Sequence, residues 1–283
     1  MRDSTFEVNS GLANLNGFGA MYIGRKYDGD SRVIVNGGEL NVNNPIIVGD
    51  SGEGTLEING GVLNINVSDS VAVTYGAGTG TINQTGGIAN FNTSEVVLGG
   101  TSKKANYSIS GGDISGISTL KLDTNSEFKI AGSGAGQIDI QEFTVVSDTS
   151  AVLSVDMDGN GCSVITVGAD AEAGTGGADL TGLTLAINTL DSFVVDEGTV
   201  YDILWAANFG IHGKDTITLA NNSDQLFEYR IVDATEYGYA SGELLQVVSN
   251  YNPSNADLNG DGNVNLDDFA IFSQFWLWSA SQE

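Results

Sequence analysis

Through the first half of the chain, apolar and polar residues alternate in short runs, and glycine pairs punctuate the runs at near-regular intervals. Alternation with a period of two marks strands that bury one side. The runs align on a Gly-Gly or Ser-Gly pair. They read Ser10-Gly11-Leu12-Ala13-Asn14-Leu15-Asn16, Gly37-Gly38-Glu39-Leu40-Asn41-Val42-Asn43, Gly60-Gly61-Val62-Leu63-Asn64-Ile65-Asn66 and Gly86-Gly87-Ile88-Ala89-Asn90-Phe91-Asn92. A degenerate copy opens at Gly111-Gly112, and the steps are 27, 23, 26 and 25 residues. Two further runs complete each repeat. One ends in glycine, as in Met21-Tyr22-Ile23-Gly24, Ile46-Ile47-Val48-Gly49 and Val96-Val97-Leu98-Gly99. The other precedes the next glycine pair, as in Arg32-Val33-Ile34-Val35-Asn36, Thr55-Leu56-Glu57-Ile58-Asn59 and Asn106-Tyr107-Ser108-Ile109-Ser110.

Three strands and three glycine-rich corners in a turn of about 25 residues predict an all-β fold, a right-handed parallel β-helix. In such a solenoid each strand stacks on its equivalent in the next coil, about 4.8 Å away. Ala13, Leu40, Leu63 and Ala89 form one inward column, and Leu15, Val42, Ile65 and Phe91 another. Between them stand Asn14, Asn41, Asn64 and Asn90, with Asn16, Asn43, Asn66 and Asn92 as a second polar column. Amides stacked in this way can hydrogen-bond from coil to coil. The chain opens in the third strand of a repeat, Thr5-Phe6-Glu7-Val8-Asn9. An open coil invites another strand, from upstream residues or from a neighbouring copy. The solenoid repeats cover residues 1–140. Alternating strands over 141–250 read equally as a continuation or as a cap. A linker with Asn252-Pro253-Ser254 leads into a small module over 251–283.

Composition narrows the chemistry. Acidic residues outnumber basic ones 36 to 10, for a formal charge of −26. That field repels nucleic acid and anionic membranes and attracts divalent cations. Cys162 is the single cysteine and His212 the single histidine, so an intrachain disulfide and zinc clusters are excluded and a metal-based fold must use oxygen ligands. No apolar run reaches the length of a membrane span. A signal peptide is not visible, and a leader removed before maturity is the expectation.

One segment carries sharp local chemistry. Asp257-Leu258-Asn259-Gly260-Asp261-Gly262-Asn263-Val264-Asn265-Leu266-Asp267-Asp268 fits the twelve-residue calcium loop. Asp257, Asn259 and Asp261 occupy positions 1, 3 and 5, and Gly262 allows the sharp turn at position 6. Asn263 offers its carbonyl, Asn265 binds directly or through water, and Asp268 closes the shell. A hard cation requires six to eight oxygens together, and alternate loop residues point them inward. The exit segment Leu266 to Leu277 is expected to be helical, with Phe269, Phe272 and Trp276 on one face and Phe275 and Trp278 adding apolar area beside it. A short helix cannot bury these aromatics alone. They need the solenoid, a second copy or a partner, and packing within the chain is the simplest.

The loop and the Phe-Trp-Leu that follows it resemble a dockerin-type calcium repeat, in the single C-terminal form carried by many secreted proteins of planctomycete-like bacteria. The Gly-Gly-x-Leu-Asn-Ile-Asn coils resemble the β-solenoid repeats upstream of it in those proteins. Dockerins of cellulose-degrading complexes carry two such repeats and bind cohesin modules, whereas this chain carries one. The resemblance implies secretion, Ca2+ and attachment or assembly at the cell surface.

Weaker signals complete the picture. Asp156-Met157-Asp158-Gly159-Asn160-Gly161 is readable as a partial second calcium site, and better as a turn between strands. Arg25, Lys26, Lys103 and Lys104 follow the second strand of their coils and form a mixed-charge corner rather than a lyase site. The expectation is a non-enzymatic extracellular structural or adhesive protein, calcium-stabilised, assembling head-to-tail with copies of itself or attaching to a surface protein. The alternative is a carbohydrate-binding or polysaccharide-lyase-like β-helix with polysaccharide as partner.

Overall fold

Each sequence repeat closes into one three-sided coil. The computed structural model describes residues 4–250 except 18, 26–28, 68–69, 93, 101–102, 147–149, 169–176, 191–194, 196, 209 and 222–226, and beyond them Leu266, Phe269, Ala270 and Ile271. The first coil is β1 (Ser4–Val8), β2 (Leu12–Leu15) and β3 (Met21–Ile23). The second is β4 (Asp30–Val35), β5 (Glu39–Val42) and β6 (Ile46–Val48), and the third β7 (Glu53–Ile58), β8 (Val62–Ile65) and β9 (Ser70–Val73). In the fourth, β10 (Gly80–Asn90) runs unbroken round the first corner and β11 (Glu95–Leu98) completes the turn; in the fifth, β12 (Ala105–Leu122) covers all three sides. The sixth is β13 (Ser126–Ala131) and β14 (Ala135–Val145). These make about six turns of β-solenoid.

Every face is a parallel ladder, and the pairing fixes which side chains stack. On the first face the inward column is Phe6, Val33, Leu56, Ile82, Tyr107 and Phe128. On the second it is Ala13, Leu40, Leu63, Ala89, Ile114 and Ile138. On the third it is Met21, Ile46, Val71, Val96, Leu120 and Phe143. The core runs along the axis, and from the second coil onward these residues are buried. Burial of such a column is the main source of stability. Gln84 also takes an inward place, accepts from the Tyr107 hydroxyl at 2.9 Å and donates to the Asp113 carbonyl at 2.9 Å. Both partners are buried and satisfied, as a dry interior requires.

Past Gln141 the sequence repeat fades but the stacking does not. β15 (Val152–Met157), β16 (Ile165–Val167) and β17 (Ala178–Asp179) continue the three faces, followed by β18 (Thr184–Thr189), β19 (Val200–Ala206) and β20 (Ile211–His212). β21 (Thr218–Asn221) adds one more parallel strand on the first face. The order then changes. β22 (Phe227–Asp233) and β23 (Glu243–Ser249) form an antiparallel hairpin, and β23 lies antiparallel against β19. The returning strand therefore sits between β19 and β22, and the second face ends in a hairpin.

The first corner dictates the glycine pairs. The second glycine of each pair has φ near +70° to +80° (Gly11 +76°, Gly38 +72°, Gly61 +68°, Gly87 +69°, Gly112 +81°). A Cβ on Gly61 would lie 2.5 Å from the Gly38 carbonyl oxygen in the coil before, whereas one on Gly11 meets nothing within 4 Å. The two sites separate backbone conformation from coil-on-coil contact. Gly11→Ala is expected to cost about 1–2 kcal/mol for the left-handed backbone alone. Gly61→Ala should cost that and about 1–3 kcal/mol more for displaced backbone. Urea unfolding followed by circular dichroism measures both, and equal losses would contradict the contact.

Candidate functional site

Three ladders of side-chain amides run along the outside of the first coils. On the second face Asn41 donates to Asn14 (2.9 Å), Asn64 to Asn41 (2.8 Å), Asn90 to Asn64 (2.8 Å), and the Ser115 hydroxyl to Asn90 (2.8 Å). At the next corner Asn43 donates to Asn16, Asn66 to Asn43 (3.0 Å) and Asn92 to Asn66 (2.6 Å). A third ladder, which the sequence reading did not pick out, joins Asn36 to Asn9 (2.9 Å), Asn59 to Asn36 (2.9 Å) and the Thr85 hydroxyl to Asn59 (2.9 Å). An amide suits this role because it carries a donor and an acceptor on opposite sides of one plane.

The described basic residues with resolved partners engage separate groups. Arg25 lies over the Tyr22 ring at 4.5 Å, Arg32 pairs with Glu57 (3.5 Å) and Lys104 with Glu127 (3.4 Å). Lys214 pairs with Glu243. Lys129 reaches buried Asp156 at 2.7 Å, and Asn188 donates to the other Asp156 oxygen at 2.9 Å. Lys129 and Asn188 line a shallow depression on the outside of the first face with the small residues Ser154, Ala186 and Ala220.

A second polar cluster, built by the terminal hairpin, crosses β19, β23 and β22. Arg230 donates to the Tyr237 hydroxyl (3.0 Å) and through Nε to the Gln246 side-chain oxygen (2.8 Å). Gln246 donates to one oxygen of Asp202 (2.8 Å), and the Tyr239 hydroxyl donates to the other (2.9 Å). The Tyr239 ring stands 4.9 Å from Trp205, whose indole nitrogen donates to the Ser241 carbonyl (2.8 Å). Gln246 is wholly buried. Asp202, Gln246, Tyr201 and Tyr237 line a depression of about 390 Å³ together with Asn160, Gly161 and Cys162. Burial, reinforced by the Asp202 carboxylate, pushes Tyr239 up to about 12. Burial likewise pushes the Cys162 thiol to about 12, with Asp202 and Asp158 adding to the effect.

The calcium-loop residues Asp257, Asn259, Asp261, Asn263, Asn265 and Asp268 lie outside the described residues, as do Phe272, Phe275, Trp276 and Trp278. Leu266 and Phe269 to Ile271 are helical, and Phe269 is 63% and Leu266 82% exposed. Of the segment from Asp156 to Gly161, Asp156 and Met157 end β15 and Asp158 to Gly161 form a turn. Asp158 and Gly161 exchange backbone hydrogen bonds at 2.9 Å, and the Asp158 carboxylate accepts from Ser133 (2.9 Å) and from the Asn160 N–H (2.7 Å). The Ser133 N–H is the main reason its pKa lies below the usual carboxylate value. Among the described residues no group of three or more His, Cys, Asp or Glu converges as a metal shell.

Two expectations follow from these contacts. Asn64 holds three side-chain hydrogen bonds, to Asn41, Glu39 and Asn90, while Asn14 accepts one from Asn41. At about 0.5–1.5 kcal/mol per bond, Asn64→Ala should destabilise the protein two- to threefold more than Asn14→Ala in chemical unfolding. Separately, Cys162, Tyr239 and Tyr107 keep their protons in the folded protein to higher pH than their ordinary values of 9.0 and 10.0. Above pH 9 the unfolded chain then loses protons that the native state holds, so stability is full below pH 9 and falls from there to about 12. Thermal midpoints measured from pH 8 to 11 should decline, and Cys162→Ala should remove the earliest part of the decline.

The chain matches no protein-family model, no curated protein and no solved structure.

Proposed function

We propose that the protein is a non-enzymatic extracellular structural or adhesive component, a solenoid rod fastened by Ca2+ at its C-terminal loop. The observation that carries this reading is the set of amide ladders. Along the outer face of the first coils the polar side chains are committed to one another, which stiffens a rod and leaves few of them convergent for chemistry. The one-sided charge of −26 suits an exposed, soluble surface protein that takes up divalent cations. The oxygen spacing from Asp257 to Asp268 and its dockerin-like form supply the cation site and the link to the cell surface.

Assembly in this reading runs through the calcium module. The hairpin of β22 and β23 interrupts the parallel order of the second face, so coil-on-coil stacking is disfavoured at that end. Phe269 stands exposed directly after the loop and offers apolar area to a second copy or to a surface protein once calcium sets the loop.

Light scattering and electron microscopy of the purified chain, with millimolar calcium and then with excess chelator, test the proposal. The expected result is ordered polymers with calcium that dissolve on chelation and that Asp257→Ala with Asp261→Ala fails to form. A protein that binds calcium yet stays monomeric in both conditions would reduce the ion to a local staple and remove the assembly role.

A further inference from the structure

The terminal hairpin brings together residues far apart in the chain and arranges them around an open depression. Asp202 lies 44 residues from Gln246, and the two meet only because β23 returns antiparallel beside β19. Tyr237, Gln246 and Asp202 of the depression's lining belong to a relay of planar polar groups that includes Arg230 and Tyr239 beyond it, linked by four hydrogen bonds of 2.8–3.0 Å. Each group is held in place by its neighbour, so the surface is preorganised rather than floppy. A volume of about 390 Å³ falls in the range of small-molecule sites.

The chemistry of the wall selects a ligand class. Tyr201 and Tyr237 line the depression, and Tyr237 is 41% exposed. Aromatic rings give an apolar face with a polar tip. The Asp202 oxygens each retain a lone pair beyond the bond already made, and the wholly buried Gln246 fixes that carboxylate in place. A ring that presents C–H bonds on one face and hydroxyls at its rim matches both features. Charge decides the rest. The Arg230 guanidinium is tied to Gln246 and Tyr237 and lies over the Tyr237 ring at 5.6 Å, so no free cation awaits a carboxylate or sulfate. The field of the whole protein repels anions as well. Both Asp202 oxygens already accept from protein donors, which leaves the carboxylate poorly placed to bind a metal.

We infer that the depression formed by Tyr201, Asp202, Tyr237 and Gln246 at the hairpin end of the solenoid is a binding site for neutral saccharide units. The site does not depend on the calcium-fastened assembly proposed above, and would give the rod an adhesive end whether or not it polymerises.

The test uses the full chain on an array of neutral gluco-, manno-, galacto- and xylo-configured oligosaccharides together with uronate-containing ones, in calcium and in chelator. Titration calorimetry of the best neutral binder follows. Binding to a neutral class in both conditions is expected, with a loss of tenfold or more in Tyr237→Ala or Asp202→Asn at an unchanged unfolding midpoint. Tyr75→Ala, an exposed tyrosine in the third coil's corner, serves as the control and should bind as the parent does. The inference is overturned by no neutral binding at millimolar sugar, by binding confined to acidic glycans, or by affinity retained in both site variants. Polymer formation without sugar binding would uphold the scaffold and remove this site. Sugar binding without polymers would do the reverse.

Discussion

Stacking of one coil on the next at the spacing of a β-ladder is the constraint on which everything else in the molecule rests. A strand in a solenoid hydrogen-bonds only along the axis, so each corner must repeat the shape of the corner beneath it. Where backbone passes that close to backbone there is no room for a Cβ, and the glycine pairs follow. The third-face corner shows how strict the rule is. Gly24, Gly49 and Gly99 have φ of +80°, +78° and +91°, and in the coil between them Thr74 takes the same conformation at +72°. A β-branched residue there is strained. Its hydroxyl offsets the strain by accepting from the Gly80 N–H and donating to the Lys104 carbonyl, both at 3.1 Å, so the side chain ties the corner to the coil above.

The same spacing explains the amide ladders. Asparagines at equivalent positions are brought within hydrogen-bond reach by the backbone stack, at separations of 23 to 27 residues that follow the coil length. This part of the molecule was legible from sequence because a local rule repeats. Leu40 and Leu63 point inward and Asn41 and Asn64 outward in any register that keeps the glycine pairs in line. The third ladder escaped notice because Asn9, Asn36 and Asn59 read as strand ends just ahead of those pairs, where an asparagine has other uses.

Beyond Gln141 legibility failed for a physical reason. A solenoid needs its inward column and its corners, and its loops can vary freely. Ile138, Ile165 and Leu204 remain in register, yet longer connections separate the strands, as between Val167 and Ala178, and the period is lost. The terminal hairpin was less legible still. Alternation tells which residues of 201–205 and 244–248 face outward, but it does not distinguish a strand that stacks parallel from one that returns antiparallel. The meeting of Asp202, Arg230 and Gln246 follows from that reversal and not from any local pattern. The segment from Asp257 to Asp268 lies outside the described residues, and its oxygen spacing stands as a reading of the sequence alone.

Ending a solenoid poses a problem that its middle does not have. A parallel edge left free continues the template and invites another strand. Inserting β23 in the reverse direction breaks that template on the second face. Charged residues on the hairpin, Glu228 and Arg230 among them, add a further deterrent to pairing. The same reversal places side chains from three different strands on one outer surface, which uniform parallel coils do only with residues at equivalent positions. Along the coils, like meets like and the amides satisfy one another. At the hairpin, unlike groups meet, with aromatic, carboxylate, amide and guanidinium joined by hydrogen bonds. Seven residues separate Ser249, the last of β23, from Asp257, so the segment with calcium-loop spacing follows the hairpin closely in sequence. A solenoid built this way stacks like residues along its length and brings unlike groups together where the repeat is broken.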